Sequence, residues 1–290
     1  MLKTGFIGAG KVGFTLGKYL STHGIEVTGY YSRNTESAGE AAQFTQTKAY
    51  EDMGLLIENC DVLFLTVPDG CITSVFEEVK KYPISGKFIC HCSGALSSKD
   101  AFPEIRESGA FAFSVHPLFA VSDKYHAYEE LSDVFIASEG DEDRIHELKA
   151  MLNQAGLQVQ QIRPEDKTRY HCAAAIASNL VVALISKSVD MLTECGFTPE
   201  NALSALTPLM TGNIRHIAED GVINSLTGPV ERGDAETVKK HLECFGYEDD
   251  KELYTLLSRL LIPVAQARNP ERSYRSVKEV IGFDRKEAEK

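Results

Sequence analysis

A glycine-rich turn close to the start of the chain constrains the fold more than any other feature. Residues 3–7 form a short apolar run that predicts a β-strand, and the sequence GAGKVG follows at residues 8–13. Apolar residues then recur at helical spacing through residue 20. Strand, glycine-rich turn and helix in this order are typical of the βαβ unit that binds a dinucleotide.

Each glycine of this turn has a separate physical role. The first permits the tight turn, the second lets the backbone approach a pyrophosphate, and the third lets the helix pack closely on the strand. The N–H groups at the helix start, supported by the helix dipole, hold phosphate charge. The alternative is a glycine-rich turn that binds no ligand. The position of this turn between a strand and a helix favours a ligand-binding role. The predicted phosphate-binding residues are Gly8, Gly10, Lys11, Val12 and Gly13.

The end of the second predicted strand indicates which dinucleotide is bound. Residues 26–31 are rich in β-forming residues, and they are followed by Ser32, Arg33 and Asn34. Enzymes that use NAD usually carry an acidic residue here, hydrogen-bonded to the ribose hydroxyls. An arginine suits a 2′-phosphate instead, because its planar guanidinium donates charged hydrogen bonds to phosphate oxygens. We therefore predict that these three residues bind NADP(H).

Composition limits the possible partners. The 290 residues are 43% hydrophobic and 25% charged, as in a water-soluble globular protein. The formal net charge of −12 argues against nucleic acid or an anionic membrane as a partner, because both require a basic surface. We expect a small-molecule substrate. The helix rich in small residues at 173–177 and the size of the helical half predict a homodimer.

Three further observations favour a cytoplasmic protein without metal. The N-terminus enters a strand within three residues, so we expect no secretory signal, and the apolar stretch 172–185 is too short to span a bilayer. Seven cysteines without a CxxC pair indicate a reducing compartment. In Cys90-His91-Cys92, strand alternation sends the histidine to the opposite face, so we predict no metal site there.

The pattern of elements predicts two domains. Apolar strands alternate with helices through the first half, which predicts a doubly wound Rossmann domain of about eight strands over residues 1–163. Residues 165–268 are nearly all helical in period, so we predict that residues 164–290 form an all-α domain that binds substrate and forms the dimer. Its first helix is expected to run from residue 165 to 194 and to be buried among other helices.

Polar groups follow several predicted strands at the edge where a doubly wound sheet binds ligands. Val67 and Pro68 end the fourth strand and either border the cofactor or form an ordinary turn. Ser93 ends the next strand and is a candidate for binding a substrate carboxylate or the nicotinamide. His116 ends the strand after that, where it either binds substrate or has a structural role.

The helical half contributes further candidates. Lys167 and His171 are four residues apart and therefore share one helix face, with Ser178 near the same face and Asn179 beside it. These polar groups require partners, which either substrate and nicotinamide or a neighbouring helix would supply. Further along, Arg232 lies in a turn-rich loop and is a candidate for pairing with a substrate carboxylate.

Taken in order, these motifs resemble a known family. They are GAGKVG, YYSRN, TVPD, CSGAL, HPL, YHCAAAIASNL and LTGPVERGD. The chain is similar to Rossmann-like NADP oxidoreductases whose helical second domain was long described only as a domain of unknown function. That group belongs to the superfamily of 6-phosphogluconate, 3-hydroxyisobutyrate, ketopantoate and pyrroline-5-carboxylate dehydrogenases or reductases. The resemblance covers nearly the whole chain, and its last two motifs are specific to the smaller family.

The resemblance implies a reductase similar to the alternative class of ketopantoate reductase, which serves pantothenate biosynthesis. The superfamily commonly carries Lys-x-x-x-Asn on its catalytic helix, with the lysine as general acid. Lys167 matches that lysine, but His171 stands where the asparagine would be. Either residue is therefore a candidate proton donor. The alternatives are a reductase of another oxo acid or a cyclic imine, and a regulatory protein that binds NADP without turnover.

Overall fold

The computed structural model describes residues 2–283. It contains two compact units, one ending at Val182 and the other beginning at Ala183. The first unit holds an eight-stranded sheet with helices packed on both faces, and the second is helical. This arrangement confirms the predicted fold class. The division falls inside a helix, whereas strands give way to helices near residue 163.

The strands are short, and three of them, β1, β4 and β5, are buried along their whole length. Their bounds are β1 (Thr4–Ile7), β2 (Val27–Tyr31), β3 (Lys48–Tyr50), β4 (Val62–Leu65), β5 (Phe88–His91), β6 (Phe111–Pro117), β7 (Phe135–Gly140) and β8 (Gln158–Gln161).

The sheet has the order β3-β2-β1-β4-β5-β6-β7-β8. Every neighbouring pair is parallel except β6 and β7, which are antiparallel. The carboxyl ends of β1, β2, β4, β5 and β6 consequently meet at one edge, with the crossover from β1 to β4 at its centre. In doubly wound sheets, ligands bind at this edge.

The strand β4 shows why the sequence forms a sheet that is buried on both faces. Its residues are all fully buried, and alternate side chains enter separate apolar cores. Phe64 stacks on Phe6, which in turn stacks on Tyr30, while Leu63 and Leu65 join the core on the opposite face. A continuous apolar run is what such a position requires.

Seven helices belong to the first unit, and an eighth begins there. They are α1 (Lys11–Thr22), α2 (Thr35–Thr45), α3 (Met53–Glu58), α4 (Ile72–Val79), α5 (Ser98–Ala101), α6 (Ile145–Gln154), α7 (Lys167–Ala177) and α8 (Asn179–Glu194).

The prediction of one continuous buried helix over 165–194 is wrong in two respects. Ser178 separates α7 from α8 with φ −126° and ψ −79°, and its hydroxyl donates to the Ala174 carbonyl at 2.7 Å. A serine hydroxyl that bonds its own preceding turn competes with the helix ladder. Burial is also far lower than expected, since only Lys167 of α7 and no residue of α8 is buried in this single chain.

The expectation that the apolar stretch is too short to span a bilayer also needs correction. The helical segment from Pro164 to Glu194 has 31 residues, and its most apolar 18 residues have a mean hydropathy of 1.7, enough by length and composition to cross a membrane. One such helix is weak evidence, because core helices of water-soluble proteins have the same properties. The segment is also interrupted at Ser178 and carries Lys187 and Asp190 within α8.

Up to residue 283, the second unit continues α8 and adds five helices. They are α9 (Pro199–Ser225), α10 (Pro229–Arg232), α11 (Ala235–Glu243), α12 (Glu248–Arg268) and α13 (Arg275–Val280). Its small core is centred on α12, where Ile262 and Ala265 pack with Val230 and Val277. The Tyr274 hydroxyl lies within hydrogen-bond distance of two carbonyls, on α10 and on α12, and so ties these helices together.

Candidate active site

The glycine-rich turn packs directly against the end of β4. Gly8 has φ +98°, a conformation that favours glycine, and a Cβ there would lie 2.6 Å from the Thr66 carbonyl oxygen. A Cβ on Gly13 would overlap the Thr66 hydroxyl, which itself donates to the Gly8 carbonyl at 2.8 Å. Only glycine fits at both positions, so the start of α1 is held close to the sheet edge.

A cleft of about 660 Å³ opens over this turn. Among its walls are Gly8 and Gly10, Ser32 and Arg33, and Val67 and Pro68, six of the ten predicted cofactor-binding residues. Lys11, Val12 and Gly13 form the first turn of α1, which contains no acidic residue and is capped by no side chain. The backbone N–H groups of this turn remain available for an anion, which is what a cofactor pyrophosphate requires.

The far end of the cleft carries the residues predicted to select NADP(H). Arg33 is exposed and lines the cleft with Ser32. Asn34 has a different part, since its side-chain oxygen accepts hydrogen bonds from the Glu36 and Ser37 N–H groups and caps α2. Sequence reasoning missed other residues that line the cleft, because they belong to none of the motifs that it considered: Ser37, Met53, Cys71, Ser74 and Tyr82.

Ser93 is held by its own loop. Its hydroxyl donates to the Asp69 carboxylate at 2.6 Å and accepts from the Ala95 and Leu96 N–H groups at 3.3 and 3.0 Å. This hydroxyl therefore ties the loop after β5 to the turn after β4. It remains a candidate for substrate binding only as an additional acceptor, because its proton is already donated to Asp69.

Lys167 is the most perturbed charged group of the site. It is 1% exposed, and its ammonium donates a 2.6 Å hydrogen bond to the Ser114 hydroxyl on β6. Burial lowers the pKa of Lys167 from 10.5 to about 8, while nearby Glu139, Cys92 and Asp69 act in the opposite direction. A buried amine with a pKa near neutrality at a ligand-binding edge is typical of a catalytic acid.

Two histidines converge beside Lys167. A Cβ built on Gly94 would lie 2.6 Å from His171 Nδ1 and 2.9 Å from His116 Nε2, so both rings close over this glycine. The Tyr170 hydroxyl is 2.8 Å from His116 Nδ1. Burial and the charge of Lys167 lower the pKa of His116 from 6.5 to about 4, so its imidazole is neutral at pH 7.

A second cavity of about 480 Å³ adjoins these rings. One end is polar, formed by His116, Tyr170 and His171, and an alanine-rich face of α7 forms the wall. Ser178 and Asn179 lie at the other end, where the Ser178 hydroxyl is 3.1 Å from the Asn179 side-chain oxygen. The structure thus brings four of the seven predicted catalytic and substrate-binding residues to one cavity.

The other three predicted residues lie elsewhere. Lys167 and Ser93 are buried at the same sheet edge, behind the two histidines. Arg232 is an exposed residue at the end of α10, in the second unit. The pKa of nearby Asp234 is lowered mainly by hydrogen bonds from Thr237, with a smaller contribution from the charge of Arg232. Its part in substrate binding remains a prediction.

Sequence reasoning missed three residues that complete the site: Ser114, Glu139 and Gly94. Ser114 and Glu139 are fully buried polar residues inside β6 and β7. A polar residue within an apolar strand that is buried on both faces is the signal that would have found them. Within residues 2–283, no group of three or more His, Cys, Asp or Glu side chains is placed to hold a metal ion.

Comparison with known proteins finds different family models in the two halves of the chain. Residues 3–93 match the family model "NADP oxidoreductase coenzyme F420-dependent", and residues 134–261 match a domain of unknown function, DUF2520. A search of curated proteins found no match. The fold and the cleft therefore define an NADP oxidoreductase, and the prediction of NADP(H) as the cofactor is confirmed.

The solved structures narrow this class to a family. Protein TM1727 from Thermotoga maritima is 31% identical, with a TM-score of 0.72, and the match covers 91% of this chain and 98% of that one. The chain belongs to the same family as this Thermotoga protein. In this chain, an NADP oxidoreductase domain is joined to a DUF2520 domain.

More distant structures share the fold alone. Pyrroline carboxylate reductase from Plasmodium falciparum, solved with NADP bound, is 15% identical with a TM-score of 0.53, covering 97% of this chain and 96% of that one. An NADH-preferring ketol-acid reductoisomerase from an uncultured archaeon is 17% identical with a TM-score of 0.67, and the match covers 98% of this chain and 91% of that one.

Proposed function

We propose that the protein is an NADPH-dependent reductase of a small 2-oxo acid. The leading candidate is 2-dehydropantoate, whose reduction to pantoate would place the protein in pantothenate biosynthesis. The observation that carries the proposal is the buried ammonium of Lys167 at the ligand-binding edge of the sheet, beside two histidines. When bound, NADPH supplies the hydride.

The ammonium of Lys167 suits the reduction of a carbonyl group. As hydride reaches the carbonyl carbon, negative charge develops on the oxygen, and a nearby buried cation stabilises it. A pKa of about 8 keeps Lys167 largely protonated at pH 7 and still able to give up a proton. His171 is the second candidate donor, in which case Lys167 would bind the substrate carboxylate.

The cavity beside the histidines suits a compact substrate. Its alanine-rich wall offers apolar contact for aliphatic carbons, and Ser178 and Asn179 offer hydrogen bonds at the far end. Because Ser93 donates its proton to Asp69, it has no proton to offer a substrate carboxylate, which would instead bind the imidazole and hydroxyl groups at the polar end of the cavity.

A cyclic imine is the second candidate substrate. Asp69, a carboxylate at the same sheet edge, favours a cationic iminium group, whereas the ammonium of Lys167 opposes it. An NADP-sensing protein without turnover is the third possibility.

A panel of substrates separates these candidates. NADPH oxidation is followed at 340 nm with 2-oxo acids, 2-dehydropantoate among them, and with cyclic imines. We expect steady oxidation with the 2-oxo acids. Oxidation with imines alone would support the second candidate, and tight NADPH binding without any oxidation would support the sensor.

Two alanine variants test the proton donor. Lys167→Ala and His171→Ala should each lower turnover while leaving NADPH affinity nearly unchanged, because neither side chain lines the cofactor cleft. If both variants keep wild-type turnover, the proposed site is wrong.

Arg33 tests the choice of cofactor. Arg33→Ala should weaken NADPH much more than NADH, because only NADPH carries the 2′-phosphate that a guanidinium would bind. Arg163, an exposed arginine outside the cleft, provides the matched control. An equal loss of both cofactors would contradict the assignment.

We also propose a homodimer in the cytoplasm. The second unit exposes large apolar side chains that a second copy would cover, among them Leu209 on α9 and Leu260 on α12, each 69% exposed. All seven cysteines are free, which suits a reducing compartment.

A further inference from the structure

A row of buried polar side chains crosses three neighbouring strands beneath the candidate active site. The register pairs His91 of β5 with Ser114 of β6, and Ser114 with Glu139 of β7. Residues paired across strands project from the same face of the sheet, and all three are fully buried. Burying polar groups in a core is unfavourable unless each has a partner, so the partners indicate what the row is for.

The partners lie in the active-site loop and on α7. Nδ1 of His91 accepts from the Ser93 N–H at 3.1 Å. The two Glu139 oxygens accept from the Ser98 N–H at 2.8 Å and the Ser98 hydroxyl at 2.7 Å. The central member, Ser114, accepts from the ammonium of Lys167 at 2.6 Å. The two ends of the row therefore hold the loop 93–98, and its centre holds the ammonium.

Charge gives the row a second property. Glu139 places a carboxylate one strand away from the Ser114 hydroxyl that binds Lys167. Burial favours the neutral amine, and the nearby carboxylate favours the ammonium. The titratable groups that act on Lys167 or lie against it are Glu139, Asp69, Cys92, His91, His116 and Tyr170.

We propose that Ser114 and Glu139 are positioning residues for the ammonium group of Lys167. Ser114 fixes the group by a direct hydrogen bond, and Glu139, in register on the next strand, keeps it charged although it is buried. This inference rests on the proposed function, in which Lys167 serves the reduction of a carbonyl group.

A purely structural role for Glu139 makes a different prediction. If Glu139 only anchors Ser98, then Glu139→Gln should have little effect on Lys167, because a glutamine of the same size can still accept from the N–H and donate to the hydroxyl. If Glu139 also supplies charge, that variant should change the protonation of Lys167. Asp141→Asn is the matched control, because Asp141 is a buried carboxylate just beyond β7 that pairs with Arg106 instead.

The measurement is the pKa of Lys167 itself, which requires no substrate. Protein labelled with ¹³C-lysine is titrated by NMR, and Lys167→Met identifies the resonance of the Lys167 Cε. We expect a pKa of about 8 in the wild type and a value lower by about one unit in Glu139→Gln. Asp141→Asn should match the wild type.

Ser114→Ala tests the second half of the inference and removes only one hydroxyl from the core. It should also lower the pKa of Lys167, because the ammonium loses its acceptor while the amine loses less. A wild-type pKa of Lys167 in both Glu139→Gln and Ser114→Ala would overturn the inference. If Glu139→Gln does not fold, Ser114→Ala alone decides it by the same criterion.

Turnover distinguishes a failure of this inference from a failure of the proposed function. With the 2-oxo acid that the panel identifies, the alkaline decline of kcat should move with the pKa of Lys167 in each variant. If Lys167→Met turns over like the wild type, Lys167 is not needed for the reaction, and the catalytic role proposed for it is wrong even where the NMR shifts are as expected. If Lys167→Met is inactive but Lys167 keeps its wild-type pKa in Glu139→Gln and Ser114→Ala, the inference about Ser114 and Glu139 is wrong and the proposed function stands.

Discussion

Replacing Lys167 by methionine should change the free energy of unfolding by an amount that depends on pH. Lys167 is 1% exposed, and burial lowers the pKa of its ammonium from 10.5 to about 8. That difference corresponds to about 3 kcal/mol by which the charged lysine destabilises the folded state at pH 7. Methionine has a similar length and carries no charge, so it removes this penalty.

The direction in which stability changes with pH follows from the number of protons that the folded and unfolded states bind. Between pH 8 and pH 10.5 the unfolded chain keeps a proton on Lys167 that the folded chain has released, so wild-type stability rises with pH in this window. About 2 kcal/mol of the penalty disappears between pH 7 and pH 9.5. The advantage of Lys167→Met over the wild type should therefore shrink by about 2 kcal/mol over that range.

Urea denaturation followed by circular dichroism measures this difference at each pH. Losses that do not vary with pH, such as the hydrogen bond to Ser114, shift the whole curve and leave its slope unchanged. Lys81→Met is the control, because the Lys81 side chain is 65% exposed in a surface ion pair. A difference between Lys167→Met and wild type that stays constant from pH 7 to pH 9.5 would refute the reasoning.

Three further predictions concern other parts of the molecule. Gly94→Ala should lower kcat by about 100-fold at unchanged NADPH affinity, because the new methyl group displaces both active-site imidazoles; wild-type kcat would contradict this. Gly13→Ala should weaken NADPH binding and lower the free energy of unfolding by about 2 kcal/mol, measured by fluorescence titration and urea, because its Cβ overlaps the Thr66 hydroxyl. Leu209→Glu and Leu260→Glu should each convert the proposed dimer to monomer in analytical ultracentrifugation, since each places a carboxylate on the exposed apolar surface. Dimers in both would mean that another surface forms the contact.

The predicted strands agree with the structure where burial on both faces leaves only apolar residues. The strand β4 is an example, since Val62–Leu65 are all apolar and stand just before Val67 and Pro68, where the sequence predicts that the fourth strand ends. The strand β3 has no such signal, because Lys48 and Ala49 are exposed at the sheet edge. Ser178 carried no signal of a helix break either, since nothing in its residue type or its neighbours distinguishes it from a serine within a continuous helix.

The candidate site was predictable only in part, for a related reason. Gly8 and Arg33 belong to local patterns, so sequence spacing alone locates them. Ser114, the hydrogen-bond partner of Lys167, is 53 residues away in the sequence and lies on β6. Glu139 lies near them only because the register of the sheet pairs it with Ser114. Such contacts depend on the order of strands in the sheet, which spacing along the chain does not encode.

The cap of α2 has a consequence for how cofactor choice can evolve or be engineered. Because the Asn34 side-chain oxygen holds the first N–H groups of α2, this residue is committed to the helix, while Ser32 and Arg33 face the cleft. If Ser32 and Arg33 select the cofactor as proposed, discrimination between the two nicotinamide cofactors and the stability of the second βα connection depend on different side chains. A library that randomises only residues 32 and 33 could redirect the enzyme towards NADH without weakening its scaffold.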